Sequence, residues 1–452
     1  MKIQRISNFQ SSLNFISPQQ ELHLYYSRFL ESDLGKIYQG IPWDDLVKTF
    51  GLKESVKGPG SLFSPQGKIA LMFLKNYAGC SDKRLVEQLN GNIYYQFFCD
   101  MHLGINDRLI NYKIVSDIRC ELAEKLNLDK AQQVLANYWK PLMQETTIML
   151  TDATCYESEL RYPTNQKLLW ESVDWSYAQM KAICKYIKVK LPRTKYLKWR
   201  CRYYQYSRKR RKSVKERIVL TRSLLKLLKK INQALDQLEK DHDFKMPKDY
   251  YQRRKTLKKI YRQQNQLFTT GVKPKNRIVS ISKNYLRPIV RGKEIKLVEF
   301  GAKVNKIQID GINFIERISF DNFNEGTRFR SSIFVAQRLM KNRINVVGAD
   351  AIYATNKNRK FATSNKIRTD FKRKGRASKH EKHRKQLAAL ITKERASRLE
   401  GSFGKEKEHY HLKKIKARTQ KNEILWIFFG IHSANALEIG NRRAKHNLNK
   451  AA

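Results

Sequence analysis

Two acids sit where apolar side chains would be expected. "INVVGADAIY" (344–353) runs through β-branched residues to Asp350 and back to Ile352 and Tyr353, and "TTIMLTDATCY" (146–156) does the same around Asp152. An Asp that closes a strand usually forms a turn or caps a helix, accepting a backbone N–H. That reading suffices for either acid alone. Two of them, each ending a buried strand, ask for more, because a carboxylate among apolar neighbours is costly unless a cation compensates its charge. Carboxylate oxygens are the ligands that hard divalent cations take. A third acidic region, "ITKERASRLEGSFGKEKEHYHLKKIKART" (391–419), holds Glu394, Glu400, Glu406 and Glu408, and residue type alone does not choose among them. Glu400 precedes Lys407 by seven residues, two helical turns, so the two share a face if Gly401 and Gly404 leave the helix intact.

The surrounding chain is strongly basic. Its 452 residues include 91 Lys+Arg against 41 Asp+Glu, a formal net charge of +50. Such a balance points to a polyanionic partner, nucleic acid first. No apolar run approaches the roughly 18 residues needed to span a bilayer and no signal-peptide segment opens the chain, so a membrane partner is not expected and the cytosol or nucleoid is. The six cysteines form no C-x-x-C pair, which argues against a zinc site or a disulfide framework. His380 with His383, and His409 with His411, lack cysteine partners and are read as surface residues rather than zinc ligands. A hydrophobic share of 41% with 11% aromatics describes a folded protein.

The elements that must position these acids can be read from periodicity. Residues 1–145 read as a helical N-terminal DNA-binding domain. In "SPQGKIALMFLKNYAG", Ser64 is the expected N-cap, Pro65 opens the first turn, Ile69, Met72, Phe73 and Tyr77 share a face, and Gly79 stops the helix. A new helix is expected from Ser81. A helical packing domain is an equally good reading of that pattern. Residues 146–192 and 275–440 read as a mixed α/β unit: a strand to Asp152, extended structure over "KPKNRIVSISKNYLRPIVRGK", a hairpin turning at Asp310-Gly311, an amphipathic helix, then the strand to Asp350. "KIRTDFKRKGRASKHEKHRK" reads as a mobile basic loop touching phosphates. "NEILWIFFGIHSANALEI" should cover one face of the sheet.

Residues 193–274 read as a separate basic insert. "RTKYLKWRCRYYQYSRKRRKSVKER" mixes basic residues with Trp199, Tyr203, Tyr204 and Tyr206, able either to bind phosphates and stack on bases or simply to form a solvated face. Leu224, Leu228, Ile231, Leu235 and Leu238 face Leu257, Ile260 and Leu267 as an antiparallel helical hairpin.

Taken jointly, these segments resemble the DDE transposases of bacterial insertion sequences, in the branch that includes the groups numbered four and five. "TDATCYESELRYPTNQKLLWE" looks like that family's first-Asp segment, "RPIVRGKEIKLVEFGAKV" and "FDNFNEGTRF" like its middle strands, "VVGADAIYATNKNRKF" like its second-Asp segment, and "LEGSFGKEKEHYHLKKIKART" like its Glu helix. The resemblance implies a ribonuclease H-like catalytic domain with Asp152, Asp350 and Glu400 as catalytic triad and metal ligands. It also implies two Mg²⁺ (or Mn²⁺) ions per site, and strand cleavage and strand transfer at insertion-sequence ends by in-line phosphoryl transfer. Asp152 would bridge both ions. Lys407 matches a family Lys that contacts the element end. The family's Tyr and Arg, seven and four residues before the Glu, are Lys393 and Ala396 here, so DNA contact in this segment is expected to pass to Arg395 or Arg398, with Arg398 counted among the DNA-binding residues. Further DNA contacts are expected from Arg287, Arg291, Lys293, Arg200, Arg202, Arg210 and Arg211. The partners implied are double-stranded DNA, both terminal inverted repeats and target, and a second copy of the chain in a synaptic dimer. The alternative is a non-catalytic or domesticated basic nucleic-acid-binding protein, which would bind DNA without cutting it.

Overall fold

A computed structural model describes residues 17–54, 61–104, 106–290, 297–375 and 381–451. Its centre is a mixed sheet of β1 (Ile148–Ser158), β2 (Pro288–Val290), β3 (Val298–Ile309), β4 (Ile312–Ser319), β5 (Val346–Ala349), β6 (Arg368–Thr369) and β7 (Lys414–Ile415). The main order is β2-β3-β1-β5-β6, with β4 also on β3 and β7 also on β1. β3 is antiparallel to β1 and to β4, whereas β5 runs parallel to β1 and β6 parallel to β5. The β3–β4 hairpin turns at Asp310 and Gly311, with φ of 47° and 80°. Two consecutive left-handed residues are what a tight hairpin turn of the right twist requires, and glycine takes that conformation without strain.

Three segments differ from the pattern expected of them. Asp152 does not end its strand: β1 continues to Ser158, because β3 pairs with it from Met149 to Glu157. The stretch 273–293 is mostly irregular, with two short turns, among its described residues, and only Pro288–Val290 forms a strand. The expected basic loop also holds order: Arg368–Thr369 is the edge strand β6, and a helix begins at Glu381.

The N-terminal segment is helical, and its boundaries follow from capping chemistry. Ser64 Oγ accepts from the Gly67 N–H at 3.0 Å and Gly79 closes the helix Pro65–Ala78 at φ 59°. Ser81 then caps Asp82–Gly91. Ile69, Phe73 and Leu74 are fully buried. The long last helix, Gln420–Ala451, touches β4 as expected but packs more extensively on the N-terminal helices Asp33–Gln39 and Pro65–Ala78. Its Phe429 ring meets Phe73 edge-on, with centroids 4.8 Å apart. One hydrophobic core consequently runs from the N-terminal helices through this helix into the sheet.

The insert forms its own core with the helices Tyr196–Arg208, Val214–Asp241 and Lys248–Thr270. Its leucine stripe is buried as expected, yet it faces mainly the helix Asn165–Tyr186, which lies upstream of the insert's expected boundary at residue 193. The two hairpin helices are tied together instead by Arg254, whose guanidinium donates to Asn232 Oδ1 at 2.8 Å and Glu239 Oε1 at 3.2 Å and also pairs with Asp236.

Candidate active site

Strand register brings the two aspartates together. β5 pairs with β1 from Ile148↔Val346 to Thr151↔Ala349 and then stops, so the next residues of the two parallel strands are Asp152 and Asp350. The carboxyl ends of parallel strands are where open α/β sheets place ligands. Each Asp has one oxygen held locally: Asp152 Oδ1 accepts from Ala153 N–H and Asp350 Oδ1 from Ala351 N–H, both at 2.7 Å. Asp350 caps a short turn at Ala351–Tyr353, the ordinary structural role of such an acid, and is exposed; Asp152 is half-buried. Burial pushes the Asp152 carboxyl up to about 6, the Ala153 N–H opposes the rise, Glu325 and Asp350 add to it, and Arg395 partly offsets it.

The third element is a helix that changes pitch. Glu381–Glu394 and Gly401–His409 are α-helical, and Arg395–Glu400 between them is a π turn. Gly401 and Gly404 do not interrupt it. A π turn inserts extra chain into one helical turn and recurs at functional sites. It carries Arg395 to the acids: Nη1 lies 3.8 Å from Asp350 Oδ1 and 3.9 Å from Glu400 Oε1. Arg398 turns elsewhere, to Glu394 at 2.9 Å and Asp310 at 3.9 Å. Arg395 thus faces the acids, whereas Arg398, expected as a DNA contact, is exposed beside Glu394.

Geometry also separates the four glutamates. Glu406 is fully buried against Lys306 at 2.7 Å and takes a hydrogen bond from the Tyr156 hydroxyl. Glu394 pairs with Arg398, and Glu408 with Lys413 at 2.7 Å. Glu400 stays exposed and meets the guanidinium shared with Asp350. Lys407 is half-buried, and its ammonium donates to Thr154 Oγ1 at 3.0 Å, which ties the helix to β1.

The donor chemistry suits a hard divalent cation, being carboxylate oxygen throughout, and a cationic group already lies between Asp350 and Glu400. As placed, no three His, Cys, Asp or Glu side chains among the described residues are close enough to hold one metal ion. The fit therefore extends to Asp350 and Glu400 as a pair, with Asp152 beside them.

The expected DNA contacts fare unevenly. Arg200, Arg202, Arg210 and Arg211 are exposed on the insert. The aromatics among them mostly face inward: Tyr206 is buried and Tyr203 stacks on Trp170 at 5.0 Å, leaving Tyr204, 45% exposed, as the freest of the set. Arg287 folds back on the carbonyls of Asn284 and Leu286, at 2.6 and 2.9 Å. Arg291, Lys293 and His380 lie outside the described residues. Sequence reading missed Arg395's bridging position, Glu325 and Asp370, whose carboxyl accepts from Ala349 N–H at 3.2 Å beside Asp350. Asp370 had one signal, as the only acid between Asp350 and Glu381 in a basic stretch; the others had none, since separate elements bring them in.

Residues 25–121 match the model of a transposase domain family (DUF772). The match supports a transposase. This transposase match covers helices of the N-terminal segment and ends before β1, so the carboxylate cluster lies beyond it. No curated protein and no solved structure matches the chain. Among the described residues no helix is long and apolar enough to cross a membrane.

Proposed function

We propose that the chain is a DDE-type transposase that cleaves and joins DNA strands at insertion-sequence ends in a divalent-metal-dependent reaction. The observation that carries this reading is that Asp152 and Asp350 are the next residues of β1 and β5 beyond the last parallel pair, Thr151↔Ala349, with Glu400 linked to Asp350 through one guanidinium. The net charge of +50 and the transposase-domain match support DNA as the substrate. A ribonuclease H-like fold is the reading of the sheet: Asp152 lies on its opening strand, Asp350 follows β5, the fourth strand of the run β1, β3, β4, β5, and Glu400 sits on a later helix.

Asp152, Asp350 and Glu400 would hold the Mg²⁺ or Mn²⁺, which when bound supplies activation of the entering oxygen and neutralisation of the departing one in an in-line displacement at phosphorus. The chain's own groups prepare that site. Burial leaves Asp152 poorly solvated and in need of a positive partner. Arg395 lies between Asp350 and Glu400 and offsets part of their charge at the position an ion would take. Water is the nucleophile for cleavage and the freed 3′-hydroxyl for transfer, so no side-chain nucleophile is required. Pairing two ends calls for a second copy of the chain.

The test is a cleavage assay on duplexes carrying the element's own ends. Asp152→Ala, Asp350→Ala and Glu400→Ala should each lower metal-dependent cutting by about a thousandfold or more, the equivalent of several kcal/mol, with DNA affinity nearly unchanged. Normal cutting by the Asp350→Ala protein overturns the assignment. Salt-sensitive binding by the wild type without any cutting leaves a non-catalytic DNA-binding protein.

A further inference from the structure

At the β6 edge of the sheet, between the helix Asn356–Ser364, β6 and the helix Glu381–Glu394, lies a cleft of about 500 Å³. Arg359, Arg368, Arg373 and Arg384 line it over an apolar floor that includes Ile367 and Phe371. Residues 356–375 contain eight Lys or Arg and one acid, Asp370, and that acid is engaged with Ala349 on the β5 side. Arg373 and Arg384 share the single carboxylate of Glu381.

Arg359 is the informative residue. It is half-buried, its Nε donates to the Ala354 carbonyl at 3.0 Å and its Nη1 to the Lys372 carbonyl at 2.6 Å, and its guanidinium lies 5.5 Å from the centre of the Phe371 ring. Main-chain acceptors thus fix its orientation, while neither Arg359 nor Arg368 makes an ion pair among the described residues. A fixed, partly desolvated cation without an acid costs free energy that an anionic partner would recover. An apolar floor under a rim of guanidinium groups matches a sugar–phosphate chain, whose deoxyribose faces are apolar and whose phosphates accept bidentate donors. β6 lies parallel to β5, which leads into Asp350, so the cleft flanks the candidate active site.

We propose that this cleft binds the phosphate backbone of duplex DNA on its way to the carboxylate cluster. The direction of the strand rests on reading that cluster as the active site; the binding itself does not. A salt series of equilibrium binding to a short duplex tests it, with the full-length protein. Each phosphate contact contributes about 0.9 to the slope of log affinity against log salt. Arg368→Ala with Arg373→Ala, both on the exposed rim, should make the slope shallower by nearly 2 while leaving the thermal midpoint unchanged, and Arg359→Ala should weaken binding further. Because Arg359 braces two carbonyls, the rim pair is the deciding variant if the Arg359 substitution folds poorly. An unchanged slope in the folded rim double variant overturns the proposal. The catalytic reading fails separately: a shallower slope in the rim variant, together with a wild type that never cuts DNA, keeps the cleft and loses the active site.

Discussion

One helix presents two glutamates, six residues apart, in opposite physical circumstances. Glu406 is fully buried, with Lys306, also fully buried, at 2.7 Å and the Tyr156 hydroxyl as a second donor. Glu400 is exposed and meets one guanidinium at 3.9 Å, which it shares with Asp350. Lys306 is the direct cross-strand partner of Asp152, so the two clusters lie side by side on one face of the sheet. The tight cluster has every charge matched and hydrogen-bonded, and it fixes where the helix sits. The loose one gathers Asp152, Asp350 and Glu400 around Arg395, with Asp370 and the Lys303-paired Glu325 close by, and leaves negative charge on the first three that a ligand can satisfy. The difference teaches that an acid's role here is set by what surrounds it, since residue type and helix are the same.

Breaking the tight cluster should have the largest effect on stability. Lys306→Met or Glu406→Gln leaves a buried partner uncompensated, and each should cost about 3–5 kcal/mol. Replacing both, Lys306→Met with Glu406→Leu, should recover much of that loss, because the uncompensated charge is then gone. Glu400→Gln, on the exposed turn, should stay within about 0.5 kcal/mol of the wild type. Denaturant unfolding of the four variants beside the wild type measures this, and a Glu400→Gln loss as large as that of Glu406→Gln would erase the distinction.

This contrast also marks how far the sequence could be read. Apolar runs ending in Asp152 and Asp350, the Ser64 cap, the Asp310-Gly311 turn and the leucine stripe were legible because each is a local pattern with a local cause. Asp152's mid-strand position was not legible, since β1 is prolonged by pairing with β3, more than a hundred residues away in the chain. Nor was Arg395's place between Asp350 and Glu400: an ideal helix places residues by a constant angle, and the π turn at Arg395–Glu400 breaks that constancy. The stacking role offered to Tyr203 and Tyr206 gave way to packing, because Tyr206 is buried and the helix Asn165–Tyr186 supplies Trp170 as a ring for Tyr203 to stack on. The buried Lys306–Glu406 pair joins β3 to a helix a hundred residues later and has no spacing signal at all.

A smaller effect should separate Asp152 from ordinary surface acids. Its carboxyl titrates near 6 in the fold against 3.8 for the free group, driven first by burial and then by Glu325 and Asp350, against the pull of Ala153 N–H and Arg395. A raised value means that folding favours the protonated form. The stabilising contribution is complete below about pH 4 and is lost as pH rises through about 6. Above that, ionised Asp152 costs the fold about 2–3 kcal/mol. Asp152→Asn should therefore be more stable than the wild type at pH 8 by up to that amount, with the gap closing toward pH 4, while cleavage is lost. Equal stability of the two proteins at pH 8 would show that Asp152 is already compensated and belongs with the tight cluster.

Arg395 should give the smallest change in stability and the sharpest test of the comparison. Its contacts at 3.8 and 3.9 Å reach carboxylates whose side chains are each 53% exposed, and pairs of that kind contribute less than about 1 kcal/mol. Arg395→Ala should therefore unfold at nearly the wild-type midpoint in the absence of divalent ions. The same substitution removes a cationic group lying between Asp350 and Glu400, so added Mn²⁺ should raise the thermal midpoint more in the variant than in the wild type, since a ligand that binds only the folded state stabilises it in proportion to its affinity. The guanidinium and the ion compete for the same oxygens under this reading. If Arg395→Ala instead loses several kcal/mol and gains nothing from Mn²⁺, the guanidinium is a structural brace like Lys306, and the loose cluster was never arranged to receive a metal.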